Sequence, residues 1–239
     1  MKRLIASYSL IVLLAAVVTS VHASITIQTV VDEDLHVVLN MESMDPAIYN
    51  ETVQQGLFDV STIPAAINAN FKQQNLTNAR CNYDSAQQIF TDSTTSIRVE
   101  FYLTGLDILD SAINADTRTK VYKVRTDWRK FQISLTNETS LDFANHFATP
   151  VAQWNKVSYP LNGKSHPAYF YNSTIPSLID PSFYFILPEK ATNVNAVGDK
   201  IAFEVPLSFE EIFLNSPFLI LAVLLVVIVI VFVYRRIRK

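Results

Sequence analysis

Residues 24–42 read SITIQTVVDEDLHVVLNME, and this stretch sets the expected fold class. Apolar and polar side chains alternate along residues 25–31 and again along residues 35–41, which is the pattern of half-buried β-strands. The acidic residues 32–34 between the two runs predict the turn of a β-hairpin. We therefore expect a mainly β, sandwich-like domain, with an α+β fold as the alternative. Further strands are predicted near residues 97–103, 120–126, 131–135, 182–187 and 200–205.

A helical period appears after the hairpin. Thr62 can cap a helix with Pro64 in its first turn, and apolar residues then recur at positions 63, 67 and 71. A second, short helix is predicted over residues 106–113. The chain has only four glycines, so its tight hairpin turns are expected to use Asn and Asp.

Prolines are concentrated in the second half of the chain. Eight of the ten lie between Pro150 and Pro217, and proline removes a backbone donor that a sheet would use. This half is therefore expected to be rich in loops, with short strands. Whether the domain divides into two near residue 149 stays open.

The two ends of the chain predict its topology. Two cations precede an apolar stretch over residues 4–18, and Val21-His22-Ala23 has the small residues that a signal peptidase requires. Residues 218–234 form an apolar run of 17 residues, near the minimum for crossing a bilayer, and four cations follow it. An uncleaved first run would instead give two membrane helices with both ends in the cytoplasm. We expect a signal peptide at 1–23, an extracytoplasmic domain at 24–215, a transmembrane helix at 216–234 and a basic cytoplasmic tail at 235–239.

The predicted extracytoplasmic domain is acidic. It keeps 13 of the 19 basic residues against all 22 acidic residues, which gives a net charge of about −9. This charge argues against nucleic acid as a partner and against tight adhesion to anionic lipid. Contact with the lipid bilayer is expected through the C-terminal helix.

Cys81 is the sole cysteine, which excludes an intramolecular disulfide and a cysteine-based metal site. Domains exported to disulfide-forming compartments usually carry paired cysteines. The sequence is therefore more typical of a prokaryotic, in particular an archaeal, cell surface than of an animal receptor. We expect Cys81 to be a small buried residue, with an intermolecular disulfide as the alternative.

Four Asn-x-Ser/Thr sequons occur in the chain. Each lies at the predicted end of a strand or helix, where a glycan would project into solvent. The sequence thus predicts a glycoprotein, in a host that has the required enzymes. The candidate glycosylation sites are Asn50, Asn75, Asn137 and Asn172.

No catalytic, cofactor-binding or metal-binding motif is present. The chain lacks H-E-x-x-H, G-x-S-x-G and a phosphate-binding glycine loop. His36, His146 and His166 are far apart in sequence. Asp142 and His146 are four residues apart, a spacing that more often reflects a surface hydrogen bond than a catalytic or metal-binding pair. We expect a protein that is not an enzyme and that needs no cofactor.

Aromatic residues are concentrated between positions 154 and 185. Alternate members would fill a sandwich core, which is the favoured interpretation. Aromatic rings can also stack on sugars or anchor a protein interface. The candidate binding aromatics are Trp154, Tyr159, Tyr169, Tyr171 and Tyr184.

Two functional hypotheses follow. The first is a non-enzymatic, single-pass (type I) membrane protein whose domain contacts a protein partner, as an accessory subunit of a membrane or surface-layer assembly would. Its basis is the absence of catalytic motifs and an anchor without ionisable residues. The second is a tethered carbohydrate- or ligand-binding or hydrolytic module, because of the aromatic residues. The expected location is the cell membrane, with the C-terminus in the cytoplasm.

Overall fold

The computed structural model describes residues 23–44, 50, 62–91, 94–134, 140–175, 179–214 and 217–237. The strands are β1 (Ala23–Val31), β2 (Leu35–Met44), β3 (Arg80–Thr91), β4 (Thr94–Thr104), β5 (Leu109–Asn114), β6 (Thr119–Arg125), β7 (Gln132–Ser134), β8 (Ser140–Asp142), β9 (Asn155–Leu161), β10 (Lys164–Asn172), β11 (Ile179–Ile186), β12 (Thr192–Val197) and β13 (Lys200–Pro206). The helices are α1 (Thr62–Gln73), α2 (Phe143–His146), α3 (Phe209–Leu214) and α4 (Pro217–Ile237). The prediction of a mainly β chain is confirmed.

The strands form two main sheets. The larger sheet has seven strands in the order β3-β4-β2-β1-β11-β10-β9, and the smaller has four in the order β12-β13-β6-β5. Strands β7 and β8 make a separate two-stranded ribbon. Strand β1 runs parallel to β11, and the other described strand pairs are antiparallel. The larger sheet therefore joins the first strand of the domain to strands from the second half of the chain.

The β1–β2 hairpin forms as the alternation predicts. Val31 pairs with Leu35 across the turn, and the Asp32 N–H donates to the Asp34 carbonyl at 2.9 Å. The odd-numbered residues from 25 to 31 in β1 and from 35 to 41 in β2 face the core and are buried. Full burial of one such aliphatic side chain stabilises the fold by roughly 1.5–3 kcal/mol. The hydrophobic pattern therefore fixes the register of the hairpin, because a shift by one residue would expose the whole set.

One core lies between the larger sheet, the smaller sheet and α1. Helix α1 buries Ile63, Ile67 and Phe71, as their spacing predicts. Asn68 fastens the helix to β3, because its side-chain amide donates to the Cys81 carbonyl at 3.1 Å and its oxygen accepts from the Cys81 N–H at 2.9 Å. The smaller sheet contributes Leu109, Val124, Ile201 and Phe203 to the same core.

Asparagine and glycine take the tight turns. Asn162 and Gly163 both have positive φ and join β9 to β10 in a two-residue turn of type I′. Gly198, with φ of 58°, and Asp199 join β12 to β13 in a turn of type II′, which requires positive φ at its first central residue only. Asn75 follows α1 with φ of 59°. The expected use of Asn in a tight hairpin turn is confirmed at Asn162.

The predicted helix over residues 106–113 is wrong. Gly105 begins a single turn, in which the N–H groups of Ile108 and Leu109 donate to the Gly105 carbonyl. Strand β5 follows at once and pairs with β6. That pairing gives residues 109–114 hydrogen bonds to β6 on one side, and the tertiary contact outweighs the local helical pattern.

The second half of the chain has more strands than its prolines predict. Five strands, β9 to β13, lie between residues 155 and 206. Pro160 is exposed on β9, an edge strand of the larger sheet, and Pro206 is the last residue of β13. Proline is tolerated at such positions because no neighbouring strand needs its missing N–H. Strand β7 begins at Gln132, one residue later than predicted, and Leu135 at the end of the predicted strand lies outside the described residues.

The topology predictions concern the two ends of the chain. Residues 1–22, which contain most of the predicted signal peptide, lie outside the described residues. Helix α4 spans 21 residues, and the apolar side chains described between Ile220 and Tyr234 are exposed. Within the described residues, no helix is both long and apolar enough to cross a membrane.

Candidate functional site

The predicted aromatic residues divide between the core and the opposite face of the larger sheet. Trp154 and Tyr169 are buried, with 4% and 1% of their surface exposed. Tyr171 is half-buried and packs beside Trp154, with ring centroids 5.3 Å apart. Tyr159 and Tyr184 are half-buried on the outer face, the face of the larger sheet that points away from the core. Of the five predicted binding aromatics, Tyr159 and Tyr184 are therefore the two that lie outside the core and are accessible to solvent.

The buried side chain of Arg129 packs against the ring of Trp154. The guanidinium carbon lies 4.9 Å from the centre of the Trp154 ring, which is a cation–π contact. The indole Nε1–H donates to the Thr149 carbonyl at 2.9 Å. Arg129 itself donates to the carbonyls of Thr126, Phe147 and Thr149. Trp154 therefore makes contacts inside the domain rather than with a ligand.

Asp199 supplies the counter-charge of Arg129. Its carboxylate accepts from the Arg129 Nη2 at 2.7 Å, from the Lys130 Nζ at 2.7 Å and from the Val151 N–H at 3.3 Å. Burial alone would raise the pKa of this carboxyl, but hydrogen bonds from Lys130 and Arg129 outweigh burial and lower it. Burial lowers the pKa of Arg129, and the Asp199 contact opposes that change. Asp199 thus ties the β12–β13 turn to the segment after β6.

Three rings form a cluster on the outer face, which we call the aromatic patch: Tyr159, Phe170 and Tyr184. The Tyr184 centroid lies 4.6 Å from that of Phe170 and 5.1 Å from that of Tyr159. A hydrogen bond joins the Tyr159 hydroxyl to the side chain of Gln28 on β1. Burial, and then the neighbouring phenol of Tyr184, raise the pKa of Tyr159, so its hydroxyl stays protonated at neutral pH.

Three further apolar residues lie on the outer face of the larger sheet. Ile186 and Ala168 alternate with inward-facing residues, lie opposite each other in the β10–β11 ladder and are buried by their neighbours. Val38 of β2 lies on the same face and is 6% exposed. The outer face therefore carries apolar side chains on β2, β10 and β11 besides the aromatic patch, and their neighbours shield them from solvent.

Charged residues occupy the other end of the outer face. The His36 Nε2 lies 3.0 Å from the Glu100 Oε2, and the Arg98 Nε donates to the Glu100 Oε1 at 2.7 Å. The His36 ring stacks on Tyr102, with centroids 4.7 Å apart. No signal in the sequence links His36 to Glu100, because 64 positions separate them and strand pairing brings them together.

The other histidines have structural contacts. Asp142 caps α2 by accepting from the Asn145 N–H, while the His146 Nδ1 lies 2.9 Å from the Ser173 hydroxyl. The Nδ1–H of His166 donates to the Leu187 carbonyl at 3.0 Å. Asp142 therefore caps a helix end, and the Nδ1 contact of His146 is with a serine 27 residues later rather than with Asp142.

The predicted glycosylation sites lie at the surface where the structure describes them. Asn50 and Asn75 are exposed, and Asn172 is exposed at the end of β10. Asn137 lies outside the described residues. Exposure leaves the three described sites accessible to a glycosyltransferase, and glycosylation stays a prediction.

A groove of about 410 Å³ opens between α1 and the β7–β8 ribbon. The groove is lined by polar side chains, including those of Asn70, Gln73 and Asp142, and by alanine side chains. Asn70 donates to the carbonyls of Trp128 and Lys130, so it is already used to hold α1 in place. Phe131 is the one aromatic residue in the lining of this groove, whereas the aromatic patch has three rings.

The outer face is the candidate interaction surface, since it combines accessible rings with charged groups. Comparisons of the chain with models of known protein families, with curated proteins and with solved structures find no match.

Proposed function

We propose that this chain is a non-enzymatic, membrane-anchored surface protein whose β domain binds another protein through the outer face of its larger sheet. The aromatic patch carries the proposal. Its three rings lie outside the core, pack against one another and are partly accessible to solvent. Tyrosine, arginine and other large side chains supply most of the binding energy in protein interfaces.

The composition of this face suits a protein partner. An interface usually has an apolar centre with a polar rim that fixes orientation. Here the aromatic patch would form the centre, and the charged group around Glu100 would lie at the rim. Such an arrangement favours a partner with a basic or mixed surface over an acidic one.

The membrane anchor is the second part of the proposal. Residues 218–234 are all apolar and four cations follow them, so this segment would span the membrane with residues 24–215 outside and residues 235–239 in the cytoplasm. This part rests on the amino-acid sequence, since the described residues contain no helix that meets the requirements of a span. Resistance of the protein to alkaline extraction from membranes tests it. Sequencing of the mature N-terminus, expected at Ser24, tests signal cleavage.

A carbohydrate-binding role is the second candidate. The same rings could stack on a sugar, and the amide of Gln28 lies beside them to bind hydroxyl groups. The buried members of the aromatic group, Trp154 and Tyr169, are not available for this role.

Purification of the full-length protein from its native membrane in mild detergent, followed by mass spectrometry, tests the function. Wild type should recover a stoichiometric partner, and the Y159S/Y184S variant should bind it at least about 30-fold more weakly, as the loss of interface anchors requires. Y122S is the matched control, because Tyr122 is a half-buried tyrosine on the smaller sheet. Full recovery by Y159S/Y184S would place the interface elsewhere. Purification without any partner, together with patch-dependent binding to a glycan array, would favour the carbohydrate role.

A further inference from the structure

Three metal-ligating side chains meet on the outer face, at the end opposite the aromatic patch. They are His36 on β2, Asp84 on β3 and Glu100 on β4, and these strands are neighbours in the larger sheet. One donor atom from each lies within 4.8 Å of the other two. The donor set is mixed, with one imidazole nitrogen and two carboxylate oxygens, and thus differs from an ordinary group of surface acids.

A β-bulge brings Asp84 to the other two residues. The β3–β4 register shifts between Tyr83 and Ser85, and Ser85 pairs with Glu100. Asp84 is therefore the extra residue of the bulge and lies beside Glu100 on the neighbouring strand. Bulges redirect one side chain at the cost of local pairing, and they are common at functional positions.

The remaining contacts hold two of the ligands in place. Arg98 donates to one oxygen of Glu100, and this leaves the other oxygen, Oε2, facing the His36 Nε2 at 3.0 Å. Tyr102 stacks on the imidazole and restricts its rotation. Groups that orient metal ligands in this way commonly increase the affinity of a site.

The local charge favours a cation. Asp84 and Glu100 bring two carboxylates within 4.8 Å of each other and of the His36 imidazole. Among the described ion pairs of this group, Arg98 is the permanent cation that opposes them. The group therefore keeps a negative potential that a divalent ion would offset.

We propose that His36, Asp84 and Glu100 bind a zinc-type divalent transition-metal ion. Zinc accepts nitrogen and oxygen ligands at about 2.0–2.2 Å in a tetrahedral arrangement, which places donor atoms about 3.3 Å apart. The His36–Glu100 separation of 3.0 Å is already near that value, and the exposed Asp84 carboxylate, within 4.8 Å of both, would move closer when the ion binds. Calcium and magnesium prefer oxygen ligands alone. Three protein ligands leave the fourth position open to water or to a ligand from another molecule.

Metal titration of the full-length protein in detergent, after removal of metal by a chelator, tests the site. Isothermal titration with Zn²⁺ should give one site per chain, and Co²⁺ should give the intense visible absorption of a four-coordinate ion. H36Q and D84N should each weaken Zn²⁺ binding by at least about 100-fold, since even residues that only support metal ligands account for 10–100-fold. D110N and H166Q are the matched controls and should bind as the wild type does, because Asp110 lies on the smaller sheet and His166 is bonded to Leu187.

A stability measurement separates metal binding from a simple ion pair. Zn²⁺ in excess should raise the melting temperature of the wild type and of D110N, and it should leave that of H36Q unchanged. Circular dichroism establishes that each variant is folded. Equal Zn²⁺ affinity of wild type, H36Q and D84N, or no binding by any of them, would overturn the proposal and leave His36 and Glu100 as an ion pair. Neither result depends on whether the aromatic patch binds a protein.

Discussion

Replacing Asp199 with alanine should destabilise the protein by about 3 kcal/mol, because the buried guanidinium of Arg129 loses its counter-charge. The Arg129 side chain has no exposed surface, whereas the Asp199 side chain is 21% exposed. Breaking a buried ion pair by removing one partner costs about 3–5 kcal/mol, and the partial exposure of Asp199 places this pair at the lower end. Lys130 and the Val151 N–H lose an acceptor in the same substitution.

Urea unfolding of the full-length protein in detergent measures this loss through tryptophan fluorescence. The chain has two tryptophans, and both lie beside the ion pair: Trp128 precedes Arg129, and Trp154 packs against its guanidinium. E189A is the control, since it removes the exposed contact with Lys164 and should leave the free energy of unfolding unchanged.

A double variant refines the test. In R129M/D199A both charges are gone, so the protein should recover part of the stability that D199A loses. A loss in D199A smaller than about 1 kcal/mol, the value of an exposed pair, would refute the assignment of Asp199 as the counter-charge. A double variant that is less stable than D199A would assign the loss to packing of the arginine side chain.

Three further predictions concern other properties of the fold. The pKa of Asp199 is lowered by hydrogen bonds from its cationic neighbours, although burial opposes them. Its contribution is therefore present above the unfolded pKa of about 3.9 and is lost as the pH falls through the lower, folded pKa, so acid titration should destabilise the wild type more than D199A. Burial raises the pKa of Cys81 to about 12, so a thiol reagent should label it only after unfolding; rapid labelling of the native protein would contradict its burial. Alanine at Gly105 would place Cβ 1.6 Å from the Asn78 carbonyl oxygen, whereas Gly163 has open space. In thermal unfolding, G105A should therefore be at least about 2 kcal/mol less stable than G163A, and equal stability would exclude the clash.

Elements with a local hydrophobic period could be predicted from the sequence. The β1–β2 hairpin and α1 each bury one face against the core. Their apolar residues therefore recur every two residues in the strands and every three to four residues in the helix. Strand β4 follows the same rule, with Ile97, Val99 and Phe101 buried. Strand β3 was not predicted, because the bulge after Tyr83 interrupts its alternation. The edge strands β9 and β12 are largely exposed and carry little apolar signal.

The candidate sites depend on contacts that the sequence does not contain. His36 and Glu100 meet because β2 and β4 are neighbours, and Asp84 joins them through the bulge. The aromatic residues were visible in the sequence as a group. Their division between the core and the outer face follows from strand register, which places Tyr169 inside and Phe170 outside.

The position of β1 has a consequence for synthesis. This strand is the first of the domain, yet its parallel partner β11 begins only at Ile179. A ribosome makes the chain from the N-terminus, so one edge of β1 remains unpaired until nearly all of the domain has been produced. An open edge of alternating apolar residues is prone to pair with other chains. The nascent protein should therefore depend on chaperones until residues 179–186 emerge, and truncation before Ile179 should give aggregated rather than partly folded protein.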